Sequence, residues 1–246
     1  MIAGVLFDLG GTLLDYGRGS WEQAMAAAYL GVHRELKAAG YRGELAAFRR
    51  FIYALEDRLW EEAIAGGENL TLEREMVIVA RELGIEPDPA LVTRCVQAYV
   101  NGPQDNCEPY PDSQPALAAL RGQGLKIGLI SNTSLPGHVH AADLARYGLL
   151  EYFDDLVFSS DAGLWKPQAA VFEHALSRLG LWAEEALFVG DKPEYDVLGA
   201  RNAGLRAALI EREAPSSPAS PDGIEPDWRL RALTELPAIV EALGKR

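Results

Sequence analysis

The chain has 246 residues, 48% of them apolar, and a formal net charge of -13, so it has material for a sizeable core and a strongly acidic surface. No apolar run approaches the roughly 18 residues that cross a bilayer, and no membrane span is expected. No basic stripe is visible and an acidic surface repels phosphate backbones at long range, so no nucleic-acid partner is expected either.

In chain order, the first apolar run, Ile2–Phe7, reads as a buried strand that stops at Asp8. From about Tyr16 to Asn106 the pattern is helical. Trp21, Met25, Ala28 and Val32 recur at helical spacing, and Phe48, Phe51, Ile52, Leu55 and Leu59 form a second stripe. Leu72–Leu83 and Pro89–Val100 read as two further helices. These aromatic stripes are expected to be core packing. Beyond them, the runs Leu125–Ile130, Leu156–Phe158, Ala186–Val189 and Arg206–Ile210 read as strands. Helical patterns over Pro115–Arg121, Ala141–Tyr147, Ala170–Leu179 and Tyr195–Ala203 accompany them. Unalternated apolar runs suit strands covered on both faces, and their alternation with helices indicates an α/β doubly wound parallel sheet, Rossmann-like. Pro215, Pro218, Pro221 and Pro226 mark a loop. After it, Asp227–Leu230 is expected as an edge strand and Leu233–Leu243 as a closing helix. The expected division is a core of 1–15 and 108–246, with an all-helical insert at 16–107.

Ligands of open parallel sheets bind beyond the carboxyl ends of the strands. The residues that follow each run are therefore the candidates. Asp8 follows the first run, with Gly10-Gly11-Thr12 close behind. Ser131, Asn132 and Thr133 follow the second. Lys166-Pro167 lies beyond the third, and Gly190-Asp191 with Asp196 beyond the fourth. Each alone reads equally well as a turn, a cap or a solvated charge. Together they bring a nucleophile, hydroxyl and amide donors, a cation and two carboxylates to one edge. A carboxylate can attack phosphorus if a hard cation such as Mg2+ removes the repulsion between the two anions. A lysine and short donors stabilise the transferring oxygens, and glycines let backbone N–H groups approach them.

These segments resemble the motifs of the haloacid-dehalogenase-like hydrolases, of phosphatase type with a helical cap inserted after the first motif. The matches are Asp8-Leu9-Gly10-Gly11-Thr12-Leu13, Leu129-Ile130-Ser131-Asn132, Gly163-Leu164-Trp165-Lys166-Pro167 and Val189-Gly190-Asp191 through Asp196. The continuation Leu198–Gly204 is similar as well. The resemblance implies that Asp8 is nucleophile and metal ligand, with the Gly10 carbonyl and Asp191 as further Mg2+ ligands. It implies that Ser131 and Lys166 hold phosphoryl oxygens with Asn132 nearby, that Asp196 orients Lys166 or supports the metal shell, and that Gly11 and Thr12 shape the phosphate-binding turn. The implied reaction is hydrolysis of a small phosphorylated metabolite through an aspartyl-phosphate.

One position departs from the pattern. Gly10 stands where such phosphatases carry a second Asp, the acid/base for the leaving group and for water; general acid–base help is worth about 10²–10⁴-fold in rate. Asp15, Glu194 or a cap residue are the candidate substitutes. The same gap admits a metal-independent 2-haloacid dehalogenase, a family that favours Tyr at the place of Phe172. It also admits a phosphonatase using Lys37 and a catalytically weakened phospho-ligand-binding module. His138 and His140, two apart, do not share a helix face and are expected at the surface, with His33 and His174 isolated. Cys95 and Cys107 lack a metal-type motif, and Met1–Gly4 has no basic or cleavage-site signature. The expectation is a reduced, cytoplasmic chain with buried cysteines.

Overall fold

The structure is a computed structural model that describes residues 1–16, 25–66, 70–102, 107–212 and 223–244. Trp21, Pro215, Pro218 and Pro221 lie outside the described residues. Two compact units result. One comprises Met1–Asp15, Glu108–Asn132 and Ala141–Arg246, the other Tyr16–Cys107 and Thr133–His140. The sequence reading leaves 133–140 with the core; by contacts the segment clusters with the helical unit.

The first unit is built on strands β1 (Gly4–Phe7), β4 (Lys126–Ser131), β5 (Asp155–Phe158), β6 (Ala186–Gly190), β7 (Arg206–Ile210) and β8 (Trp228–Leu230). They form one sheet in the order β5-β4-β1-β6-β7-β8, with every neighbouring pair parallel. The chain winds outward from β1 through β4 to β5, then restarts at β6 on the other side. This reversal leaves a crevice between β1 and β6 at the carboxyl edge. Val5, Leu6 and Phe7 are wholly buried, as are Leu187, Phe188 and Val189. Each such side chain contributes about 1.5–3 kcal/mol of burial. That burial on both faces is why the strands read as continuous apolar runs.

Two strands of two residues each, β2 (Leu14–Asp15) and β3 (Glu108–Pro109), pair antiparallel. Neither is visible as periodicity in the sequence. The edge strand β8 and a closing helix at Leu236–Gly244 fall where the sequence places them.

The helical unit carries α1 (Ala26–Ala38), α2 (Leu45–Gly66), α3 (Leu72–Glu82) and α4 (Pro89–Val100). The expected stripes point inward. Met25, Ala28 and Val32 are buried, and so are Phe48, Ile52, Leu55 and Leu59; Phe51 is half-buried. Local signals set the helix starts. The Thr71 hydroxyl accepts from Arg74 N, while Asp88 Oδ1 accepts from Ala90 N and Leu91 N at 2.9 and 3.0 Å, with Pro89 at the first helical position.

One histidine expectation fails, that His140 lies at the surface. The helix expected at Ala141 begins at Gly137, and His140 in its first turn is buried. Its ring bonds Tyr16 Oη at 3.0 Å and Thr133 Oγ1 at 2.8 Å. His33 is buried against Tyr41 and Phe48 and bonds the Gly43 carbonyl at 3.0 Å. Both rings are kept inside because their nitrogens find partners there. His138 is exposed, as expected. Among the described residues no helix is long and apolar enough to cross a membrane.

Candidate active site

The crevice between β1 and β6 gathers the candidate residues of the first unit. Strand register aligns Phe7 with both Leu129 and Val189, and Asp8 N donates to Val189 O at 2.9 Å. Asp8 therefore leaves the sheet beside Gly190-Asp191 on one flank and the end of β4 on the other. Ser131 closes β4 and is buried.

Lys166 enters from the loop after β5 and its ammonium is buried between two carboxylates. Nζ donates to Asp8 Oδ1 at 2.5 Å and to Asp196 Oδ1 at 2.7 Å, and it sits 5.3 Å from the centre of the Phe188 ring. Burial opposes the charge on Lys166, yet Asp196 and Asp8 together hold its pKa above the ordinary lysine range. Asn132 fixes the lysine from behind: its Nδ2 donates to Lys166 O and its Oδ1 accepts from Lys166 N, both at 2.8 Å. The Asn132 side chain thus spends its oxygen and one of its two N–H donors on the Lys166 backbone.

Asp196 reaches the cluster through a turn of π-helix, Pro193–Val197, in which Asp196 N bonds Lys192 O at 2.8 Å. Such turns recur at functional sites because they redirect one side chain. Asp196 Oδ2 accepts from Lys192 N at 2.9 Å, so both its oxygens are satisfied.

Asp191 is different. Its Oδ1 is buried with no hydrogen-bond partner among the described residues, and its Oδ2 has only the exposed Lys192 ammonium at 3.9 Å. Burial, then the charges of Asp8 and Asp196, push the Asp191 carboxyl up to about 7. Burial also pushes Asp8 up to about 6 against the pull of Lys166. Asp8, Asp191 and Asp196 can each offer one oxygen within 4.8 Å of the others. Three carboxylates facing one buried ammonium leave the pocket short of positive charge. An orphaned carboxylate oxygen in that setting fits a hard, oxygen-ligated cation.

Two glycines make the closeness possible. Gly11 has φ +81°, and a Cβ there would stand 2.4 Å from Asp191 Oδ2; a Cβ on Gly190 would stand 2.2 Å from Asp196 Oδ2. Gly10 lies in the same turn, bridged to Leu14. Thr12 is wholly buried and its hydroxyl has no hydrogen-bond partner among the described residues. Of the substitute acids, Glu194 is exposed and Asp15 is held in β2. Phe172 is core, packed edge-on against Phe188 at 5.0 Å. Lys37 belongs to the last turn of α1. Sequence reasoning missed Phe188, the ring under Lys166, because an apolar residue inside a strand carries no polar signal.

The comparisons agree with this layout. A family model described as haloacid dehalogenase-like hydrolase matches residues 2–204. The chain is 30% identical to a glyceraldehyde 3-phosphate phosphatase of Methanopyrus kandleri over 100% of both chains. It is 32% identical to a ribulose-1,5-bisphosphate 5-phosphatase of Halopiger xanaduensis, covering 86% of this chain and 85% of that one. Among solved structures it resembles a 2-haloacid dehalogenase from Pseudomonas syringae pv. Tomato at TM-score 0.71 and 26% identity, covering 99% and 100% of the two chains. The strand order, the clustered carboxylates and these matches together place the chain in the haloacid dehalogenase-like hydrolases, and it is an enzyme of that family.

Proposed function

We propose that this hydrolase is a Mg2+-dependent phosphomonoesterase acting on a small phosphorylated metabolite, with Asp8 as nucleophile. The observation that carries the reading is the orphaned, buried Asp191 oxygen beside the Asp8–Lys166 pair. A dehalogenase needs no metal, and a site for metal-free chemistry has no use for a third carboxylate that burial already disfavours. The phosphatase names of the matched relatives point the same way.

When bound by the carboxylates of Asp8 and Asp191 and the carbonyl of Gly10, Mg2+ supplies the charge that lets an anionic nucleophile approach a phosphate. The Asp8 oxygen not held by Lys166 attacks phosphorus, and the bond to the leaving oxygen breaks. The products are an aspartyl-phosphate and the leaving oxyanion, which takes its proton from solvent. Water then attacks phosphorus, returning inorganic phosphate and the Asp8 carboxylate. Lys166, clamped by Asn132 and steadied by Asp196, is set to exchange part of its pairing for a phosphoryl oxygen, with Ser131 donating from the end of β4. The turn Gly10–Thr12 shapes the phosphate pocket. Gly10 offers no carboxyl to protonate the leaving alkoxide, so good leaving groups are favoured. Residues 16–107 serve as a helical cap that selects the substrate, and residues 1–15 and 108–246 as the hydrolase core. The buried thiols Cys95 and Cys107 fit a cytoplasmic enzyme.

The test is hydrolysis of an aryl phosphate with and without Mg2+, on wild type and Asp8→Asn. Activity that needs both the metal and Asp8 is expected, and Gly10→Asp should raise turnover toward less activated esters. Equal rates for wild type and Asp8→Asn sink the assignment. Metal-free halide release from a 2-haloacid turns it toward a dehalogenase. Tight binding of phosphoryl analogues without turnover turns it toward a sensing module.

A further inference from the structure

The strand-end rule has one more member. β7 ends at Ile210, and two residues on stands Arg212. Its guanidinium is held through both Nη atoms and one face, while Nε is buried without a hydrogen-bond partner among the described residues. Nη1 donates to both oxygens of Asp112 at 2.7 and 2.8 Å, Nη2 donates to the Thr12 carbonyl, and the group lies 3.9 Å from the centre of the Tyr110 ring. Asp112 Oδ2 also accepts from Leu233 N at 2.7 Å. Both side chains are only 16% exposed. An ion pair of this kind is weak evidence for stability by itself, because two charges have been desolvated to make it. The informative partner is the Thr12 carbonyl.

Thr12 is four residues past Asp8, in the turn that also holds Gly10. Neighbouring carbonyls of that turn are tied internally or to the next segment. Leu9 O accepts from Leu13 N and Leu14 N at 2.8 and 3.0 Å. Leu14 O accepts from Gly11 N at 2.9 Å, and Leu13 O accepts from Tyr110 N at 3.0 Å and Ser113 Oγ at 2.8 Å. Arg212 adds a charged anchor at Thr12. Peptide planes are rigid, so holding the Thr12 carbonyl restrains the planes on either side of it, and the Gly10 carbonyl lies two planes away.

We infer that Arg212, braced by Asp112 and Tyr110, is a positioning residue that sets the nucleophile turn so that the Gly10 carbonyl and the Asp8 carboxylate can share one cation. This rests on the reading that Mg2+ binds at Asp8, Gly10 and Asp191. Arg212 touches neither metal nor substrate; it acts through the backbone.

The test compares wild type, Arg212→Ala and Arg212→Lys by Mg2+ titration calorimetry, melting temperature, and kcat and KM on p-nitrophenyl phosphate. Residues behind metal ligands typically govern 10–100-fold in affinity or activity, so Arg212→Ala is expected to lose about 10-fold in both Mg2+ affinity and kcat at unchanged KM. Added guanidinium should recover part of that loss. Lys should recover little, because an ammonium cannot fork to Asp112 and reach Thr12 together. Unchanged Mg2+ affinity with a lowered melting temperature overturns the inference, since a purely structural brace gives that result. If Arg212→Ala does not fold, Asp112→Asn, which leaves the guanidinium without its anchor, should show the same weakening of Mg2+ binding, and unchanged affinity there overturns it too. Wild type that binds Mg2+ but hydrolyses nothing sinks the phosphatase reading alone, because calorimetry still compares the variants. Wild type that binds no Mg2+ sinks both.

Discussion

The two units each bury a cluster of carboxylates, and they manage the charge in opposite ways. In the sheet unit, Asp8 and Asp196 flank the ammonium of Lys166, and Asp191 is left with an unpartnered oxygen. In the helical unit, Glu56 of α2 and Glu75 of α3 share a hydrogen bond. Tyr29 of α1 and Tyr99 of α4 donate to Glu56 at 2.5 and 2.8 Å. None of the groups that set the titration of this pair is a cation: they are the two tyrosines, the partner carboxyl and Asp57. Burial pushes Glu56 up to about 7 and Glu75 well above the usual range, so protons neutralise what a lysine neutralises in the other cluster. One hydroxyl or carboxyl from each of four helices makes the second cluster a packing device. Each cluster leaves one buried carboxylate oxygen without a hydrogen-bond partner among the described residues, Asp191 Oδ1 in the first and Glu75 Oε1 in the second; what sets the first apart is three carboxylates that can each offer an oxygen within 4.8 Å of the others around one ammonium.

The largest effect separating the clusters should come from Lys166→Met. It deletes the only buried cation of the sheet-unit cluster and leaves Asp8 and Asp196 facing each other. Removing one preorganised donor to a transferring group costs about 10²–10³-fold in kcat, and that range is expected in steady-state assays at saturating Mg2+. A loss under threefold would mean that the lysine serves packing as Glu75 does.

Asp191→Asn gives an intermediate effect on a different readout. Wild type at about 100 times the metal's Kd should gain roughly 2.7 kcal/mol, or about 5–10 °C in melting temperature for a chain of this size. The variant should lose that response and should melt above wild type in EDTA, because an amide relieves the crowding with Asp8 and Asp196. Melting curves with and without Mg2+ decide it; an undiminished metal response would move Asp191 out of the metal set.

The core strands and the strand-end residues were legible because a sheet covered on both faces demands continuous apolar runs, and parallel order sends the following residues to one edge. What was illegible depends on partners distant in sequence. β2 and β3 are too short for any period, and their pairing joins Leu14–Asp15 to Glu108–Pro109. The burial of His140 depends on Tyr16 and Thr133 closing on its two nitrogens. Asn132 reads as a phosphate donor from its place after Ser131; its amide also bonds the backbone of Lys166, 34 residues on and beyond β5, and no local pattern encodes that return. The Glu56–Glu75 pair was invisible for the same reason. A glutamate on a helix reads as solvated, and only the packing of α2 against α3 shows otherwise.

The smallest effect tests that second cluster by its pH dependence. Folding raises the Glu56 pKa from 4.5 to about 7, so the folded state binds the extra proton. The stabilisation is fully present below about pH 4.5 and is lost as pH rises through about 7, with Glu75 extending the loss to higher pH. Glu75→Gln keeps the shape and a donor toward Glu56 but removes one titrating group and its repulsion. Melts in saturating Mg2+, which hold the sheet-unit carboxylates fixed, should show wild type losing more melting temperature between pH 5.5 and 8.5 than the variant. At pH 8.5 the variant should melt about 3 °C higher, equivalent to roughly 1 kcal/mol, with kcat unchanged. Parallel melting profiles for the two proteins would show that the pair stays ionised in the folded state. The contrast between a proton-neutralised cluster and a cation-neutralised one would then fail, because some cation near α2 and α3 would have to compensate Glu56 and Glu75 as Lys166 compensates Asp8 and Asp196.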